Sequence, residues 1–96
     1  MKLNNTIYKE INSNGRILRG MSHQSFNNLD ICFIIIHGYF SSNKIGPHRL
    51  YVKIADFLAK KHGVCYRFDL SGMGESDGDI SEITFEDHVE DVVNIL

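Results

Sequence analysis

The sequence predicts an α/β fold in a single domain, residues 1–96, with an antiparallel hairpin feeding a parallel strand–helix–strand unit and a closing helix. Three observations predict it. Ile31-Cys32-Phe33-Ile34-Ile35-Ile36 is continuously apolar and rich in β-branched residues, the pattern of a strand covered on both faces inside a parallel sheet. Val64 to Leu70 (VCYRFDL) is a second run of this buried type. The segment between them repeats its apolar residues at helical spacing, with Pro47 at its head and Gly63 at its tail.

Taken in order, Thr6 to Ile11 and Arg16 to Ser22 alternate in character and read as two strands, over 6–11 and 16–22, joined by the turn residues Asn12-Ser13-Asn14-Gly15. Ser25-Phe26-Asn27-Asn28 is a polar connection to the third strand, 31–36. After the loop from His37 to Gly46, a helix is expected over 48–62, with Leu50, Ile54, Phe57 and Leu58 as its core-facing set. Lys60-Lys61-His62 favour the negative end of that helix, and Gly63 can take the left-handed cap. The fourth strand is expected at 64–69, followed by a glycine-bearing loop from Ser71 to Glu82. Thr84 then caps a helix over 84–96, with Asp87 in the place of the usual capping-box Glu and Phe85, Val89, Val92 and Leu96 on one face. Such a helix ordinarily delivers the chain to another strand, so the sheet is expected to be incomplete.

Composition narrows the function. Ten Lys and Arg against twelve Asp and Glu give a net charge of -2 in 96 residues, which argues against nucleic acid or an anionic membrane as partner. The apolar run at Ile31–Ile36 is far short of the roughly twenty residues a membrane helix needs, and Met1-Lys2-Leu3-Asn4-Asn5 opens no signal-peptide core. Cys32 and Cys65 lie apart inside apolar runs, which predicts two buried free thiols and a reducing, cytoplasmic location. Neither H-x-x-H, C-x-x-C nor H-E-x-x-H occurs, so no metal and no cofactor is expected.

Two stretches carry chemistry. His37-Gly38-Tyr39-Phe40 stands at the carboxyl end of the apolar strand, where α/β sheets gather ligands and where a glycine lets the backbone turn amide N–H groups toward a developing oxyanion. Arg67-Phe68-Asp69-Leu70-Ser71-Gly72-Met73-Gly74-Glu75-Ser76-Asp77-Gly78 leaves the next strand. Together, an HG-aromatic turn after the third strand and a D-x-x-G-x-G-x-S-x-G loop after the fourth resemble the α/β-hydrolase family, in its small esterase and serine-peptidase-like branch. The resemblance covers nearly the whole chain and marks it as the N-terminal part of such a sheet. It implies that the backbone N–H of Tyr39 is an oxyanion-hole donor, that His37 and Gly38 shape the turn, and that Asp69, Gly72, Gly74 and Ser76 brace the loop. Many relatives carry Arg where this chain has Ser71 and His where it has Met73.

Gly74-Glu75-Ser76-Asp77-Gly78 also spells the G-x-S-x-G nucleophile elbow, but an elbow needs a strand running straight into the serine and a helix starting directly behind it. Ser71-Gly72-Met73 separates this serine from the strand, Asp79 to Ile83 separate it from the helix, and Glu75 and Asp77 oppose an oxyanion. The resemblance places the catalytic serine, acid and histidine beyond Leu96, with Ser76 as the alternative nucleophile. His23, His37, His48, His62 and His88 are expected to be structural or exposed. The predicted function is the N-terminal segment of a serine hydrolase acting on carboxylic esters or related acyl compounds, inactive by itself. One alternative is a non-enzymatic truncated or split-protein module. In the family the third strand lies between the fourth and fifth, so here residues 31–36 are expected to form an apolar edge that recruits a complementing chain or a second copy. A small nucleotide-binding domain is a further alternative, although Gly72-Met73-Gly74 puts Asp77 where the third glycine of G-x-G-x-x-G belongs.

Overall fold

Asn14 and Gly15 both adopt positive φ, 52° and 90°, and this two-residue turn sets the register of everything before the third strand. The computed structural model describes residues 5–25, 31–38 and 43–96. Across the turn, β1 (Asn5–Ser13) pairs antiparallel with β2 (Arg16–Gln24), from Ser13 opposite Arg16 out to Asn5 opposite Gln24. Both strands outrun the predicted 6–11 and 16–22. Once the turn fixes the register, pairing continues through Asn12, Ser13 and His23, polar residues that break the apolar alternation without breaking the ladder.

The sheet continues in the order β1-β2-β4-β3, where β3 is Ile31–Ile36 and β4 is Gly63–Phe68. β2 runs antiparallel to β4, with Gly20 opposite Phe68, and β3 runs parallel to it, with Ile36 also opposite Phe68. A Cβ on Gly20 would stand 2.4 Å from the Arg67 carbonyl oxygen, so this crossing requires glycine. Among the described residues β3 is the last strand of this sheet, and Ile31 and Ile36 at its ends are 52% and 40% exposed. The expected cover on both faces of β3 is therefore partial, and of the two cysteines expected to be buried, Cys32 on this edge strand is exposed. Cys65, inside β4, is fully buried, and desolvation pushes its thiol up to about 11.

Between β3 and β4 runs α1 (Leu50–His62). It begins two residues later than the predicted 48, because His48 and Arg49 hold positive φ, 52° and 60°, and a short turn over Pro47–Arg49 precedes it. Gly63, at φ 106°, ends it with an N–H donated to the Ala59 carbonyl. The face on the sheet also differs from expectation: Val52, Ala55 and Ala59 are buried, whereas Leu50, Ile54 and Phe57 face outward. Small side chains let the helix axis close onto the sheet, which the larger residues, spaced as regularly, do not permit.

α2 (Phe85–Ile95) starts with the expected capping box, the Thr84 hydroxyl accepting from the Asp87 N–H and the Asp87 carboxylate from the Thr84 N–H. What it buries is polar: His88 and Asp91 face inward, and Phe85, Val89, Val93 and Leu96 remain exposed. The core between the layers is made by Leu18, Val52, Ala55, Val64, Phe68, Leu70, Met73 and Ile83, among others. Among the described residues, no helix is long and apolar enough to cross a membrane.

Candidate functional site

Because β3 and β4 are parallel and end in register, the residues that leave them, His37-Gly38 and Asp69-Leu70, emerge side by side at one end of the sheet. His37 is buried there. Its Nδ1 lies 2.6 Å from the Gly38 carbonyl oxygen and its Nε2 3.0 Å from the Leu70 nitrogen. A carbonyl only accepts and an amide N–H only donates, so the ring carries its proton on Nδ1 and is neutral. Desolvation, the largest influence, holds the pKa of His37 below its ordinary value. The imidazole thereby ties the residues that follow β3 to the first residues of the loop after β4. Tyr39, the expected oxyanion donor, lies outside the described residues, as does Phe40.

The loop after β4 is organised by Asp69, which is fully buried. Its Oδ1 accepts the Lys44 backbone N–H at 2.7 Å, and its Oδ2 accepts the Lys44 ammonium at 2.5 Å and the Glu75 N–H at 2.9 Å. Lys44 Nζ also reaches Glu75 Oε1 at 2.6 Å. Burial works against the ammonium charge, but the hydrogen bonds to Asp69 and Glu75 outweigh it and raise the pKa of Lys44. Gly74 passes directly over this carboxylate at φ 51°, where a Cβ would sit 2.3 Å from the Asp69 carboxyl carbon. Gly72, at φ 75°, closes the loop by donating its N–H to the Asp77 carbonyl at 2.8 Å.

Ser76 is held at both ends of its hydroxyl. It donates to the Asp69 carbonyl at 2.6 Å and accepts the Arg19 N–H of β2 at 2.8 Å. Asp77 continues the seam, its carboxylate accepting from the Ile17 N–H at 3.0 Å and from Arg19 Nη1 at 2.7 Å. Hydrogen bonding to Arg19 is the main influence lowering the pKa of Asp77. β4 ends at Phe68 and α2 starts at Phe85, so Ser76 lies in neither a strand end nor a helix start.

Ser71 donates its N–H and its hydroxyl to Asp91 at 2.7 and 2.9 Å and receives Arg16 Nε at 3.0 Å. Asp91 also accepts from Ser13 at 2.6 Å, while His88 donates to the Ser71 carbonyl at 2.9 Å. Met73 is packed in the core. Sequence reasoning missed Lys44, which no periodicity marks, and Asp91, although His88 and Asp91 stand three residues apart and form the buried polar stripe of α2. His23, expected to be structural or exposed, is buried near the end of β2, with Nδ1 2.6 Å from Asp56 Oδ1 and Nε2 receiving Arg67 Nε at 2.8 Å.

Beside this turn, Ile36, His37 and Leu70 face Phe85, Val89 and Val92 of α2 across an open apolar cleft of about 390 Å³. The site thus combines two strand ends joined through His37 with an apolar trough. Among the described residues, no group of three or more His, Cys, Asp or Glu side chains is placed to hold a metal ion.

No family model matches the sequence, and no curated protein matches it. Solved structures do. The chain is similar to alpha/beta hydrolase domain-containing protein 10 from mouse, with 29% identity and a TM-score of 0.76 over 93% of this chain and 34% of that one. It is similar to Est1E from Butyrivibrio proteoclasticus, described with ferulic acid bound, at 25% identity and a TM-score of 0.79 over 91% of this chain and 34% of the other. A putative hydrolase from Agrobacterium vitis S4 shares the fold at 20% identity, with a TM-score of 0.67 over 99% of this chain and 36% of its own. The chain builds the N-terminal portion of an α/β-hydrolase fold. It spans about a third of the length of the hydrolases it matches.

Proposed function

We propose that these residues form the oxyanion-side scaffold of a serine hydrolase acting on carboxylic esters or related acyl compounds. In this reading the Tyr39 N–H is one oxyanion donor, His37 and Gly38 position it, and the Asp69–Gly72–Gly74–Ser76 loop keeps the turn rigid. The observation that carries the reading is the His37 ring bridging Gly38, just past β3, to the Leu70 N–H beside an apolar cleft, at the end of the sheet where α/β enzymes bind ligands. Similarity to an esterase seen with ferulic acid supports a carboxylic acyl group as the substrate class. Ser76, with its hydroxyl donated to one backbone group and accepting from another, serves as a structural brace. The nucleophile, acid and catalytic histidine come from residues outside these 96, so the chain alone is inactive. Its localisation in this reading is the cytoplasm.

Reacting the chain with a serine-directed fluorophosphonate and with a chromogenic acyl ester tests this. Neither labelling nor turnover is expected from the 96 residues, and turnover is expected once a chain supplying further strands and a triad is co-expressed. An oxyanion hole without a nucleophile retains at most a rate effect of about 10³–10⁴. Covalent labelling of Ser76, lost in Ser76→Ala, would overturn it.

The open ends of β3 favour a second reading, in which the chain is a split-protein module that pairs through strand 31–36 with a complementing chain or a second copy. Stable association without turnover in the same co-expression supports it.

A further inference from the structure

The opposite flank of the Asp69 loop presents a cavity of about 380 Å³ bounded by Met21, Lys44, Ile45, Arg49, Val52 and Arg67, with Asp69, Gly74 and Glu75 at its wall. Its charges are unevenly matched. Lys44 Nζ bonds both Asp69 and Glu75, so these two carboxylates share one ammonium. Arg67 is only 6% exposed, yet of its five N–H donors, Nε goes to His23 and one on Nη1 to the Lys44 carbonyl at a long 3.3 Å. Arg49 lines the same cavity and opposes the charge of Arg67, which Asp56 and Asp69 favour, and Arg49 forms no ion pair among the described residues. Three guanidinium donors of this buried side chain have no partner among the described residues, and such donors cost free energy that an anion would recover.

We propose that this cavity is a binding site for a small organic carboxylate, with Arg67 and Arg49 holding its oxygens. A carboxylate matches the planar guanidinium fork, and the Met21, Ile45 and Val52 walls suit a short apolar body rather than a bare inorganic ion. Lys44, already bound to two acids, positions the loop and does not contact the ligand. The proposal concerns residues that the proposed oxyanion turn does not use.

Titration of the full isotope-labelled chain with butyrate, followed by NMR of the arginine Nε–H and His23 signals at constant ionic strength, tests it. A saturable shift of the Arg67 Nε–H is expected, weakened at least about tenfold in Arg49→Gln, a substitution at an exposed residue that leaves the buried Arg67–His23 pair in place. Inorganic phosphate and chloride are expected to shift these signals less. Absence of saturation with butyrate, an unchanged affinity in Arg49→Gln, or tighter binding of phosphate than of butyrate would each overturn the assignment.

Discussion

Lys44 Nζ lies 2.5 Å from Asp69 Oδ2, with the two side chains 6% and 0% exposed, and this pair joins the segment before α1 to the loop after β4. The same carboxylate holds two backbone N–H groups, so charge neutralisation and loop conformation depend on a single side chain. Removing the cation leaves a buried carboxylate uncompensated, which typically costs about 3–5 kcal/mol. Lys44→Met is expected to lose about that much in urea denaturation. Lys44→Met combined with Asp69→Asn should cost less than the sum of the single variants, because the orphaned charge is gone. An additive double variant would show that the pair is not coupled.

Gly74→Ala tests the passage of the backbone over that carboxylate. The added Cβ would stand 2.3 Å from the Asp69 carboxyl carbon at φ 51°, so either the loop or the Asp69–Lys44 pair must shift. A loss of at least about 2 kcal/mol is expected in the unfolding free energy, drawn from strain and broken buried contacts together. Gly15→Ala, where nothing lies within 4 Å of the added Cβ, is the control that reports the positive-φ cost alone.

Ser76→Ala removes a donor to the Asp69 carbonyl and an acceptor for the Arg19 N–H, both at the seam between the loop and β2. A buried group left without its partner costs about 1–3 kcal/mol, and a fall of that size in stability is expected. Once the chain is completed by a triad-bearing partner, acyl-ester turnover at temperatures well below the midpoint should be unchanged. A variant as stable as the parent but without turnover would make Ser76 a reacting group rather than a brace.

Stability should fall on mild acidification. His23 and His37 are both buried, and desolvation is the largest influence lowering the pKa of each; for His23 the neighbouring Arg67 charge adds to it against the hydrogen bond donated to Asp56. With folded pKa values below the ordinary value of about 6.5, the unfolded chain binds more protons than the native one in the interval between. The contribution is therefore fully present above about pH 6.5 and declines as pH falls below that value toward the folded pKa values. Urea midpoints at pH 7.5, 6.5 and 5.5 measure it. His37→Gln should flatten the slope, and a profile level across this range would contradict neutral, buried imidazoles.

Local chemistry determined much of this protein. Asn14-Gly15 dictates a two-residue hairpin because both positions need positive φ, Gly63 ends α1 for the same reason, and Thr84 with Asp87 caps α2 through groups three residues apart. The α/β class and the placement of His37-Gly38 and Asp69-Leu70 at adjacent strand ends were legible from the two apolar runs, since such runs suit a parallel sheet. Tertiary structure alone decided which helix faces are buried. Spacing marks Leu50, Ile54 and Phe57 as readily as it marks Val52, Ala55 and Ala59, and only the close approach of α1 to the sheet selects the smaller set. The same holds for Lys44, Asp91 and the Asp56–His23–Arg67 chain: their partners lie more than twenty residues away in sequence or on another element. A buried charge has no sequence period of its own, and its position follows from where the folded backbone brings an opposite charge or a donor within reach.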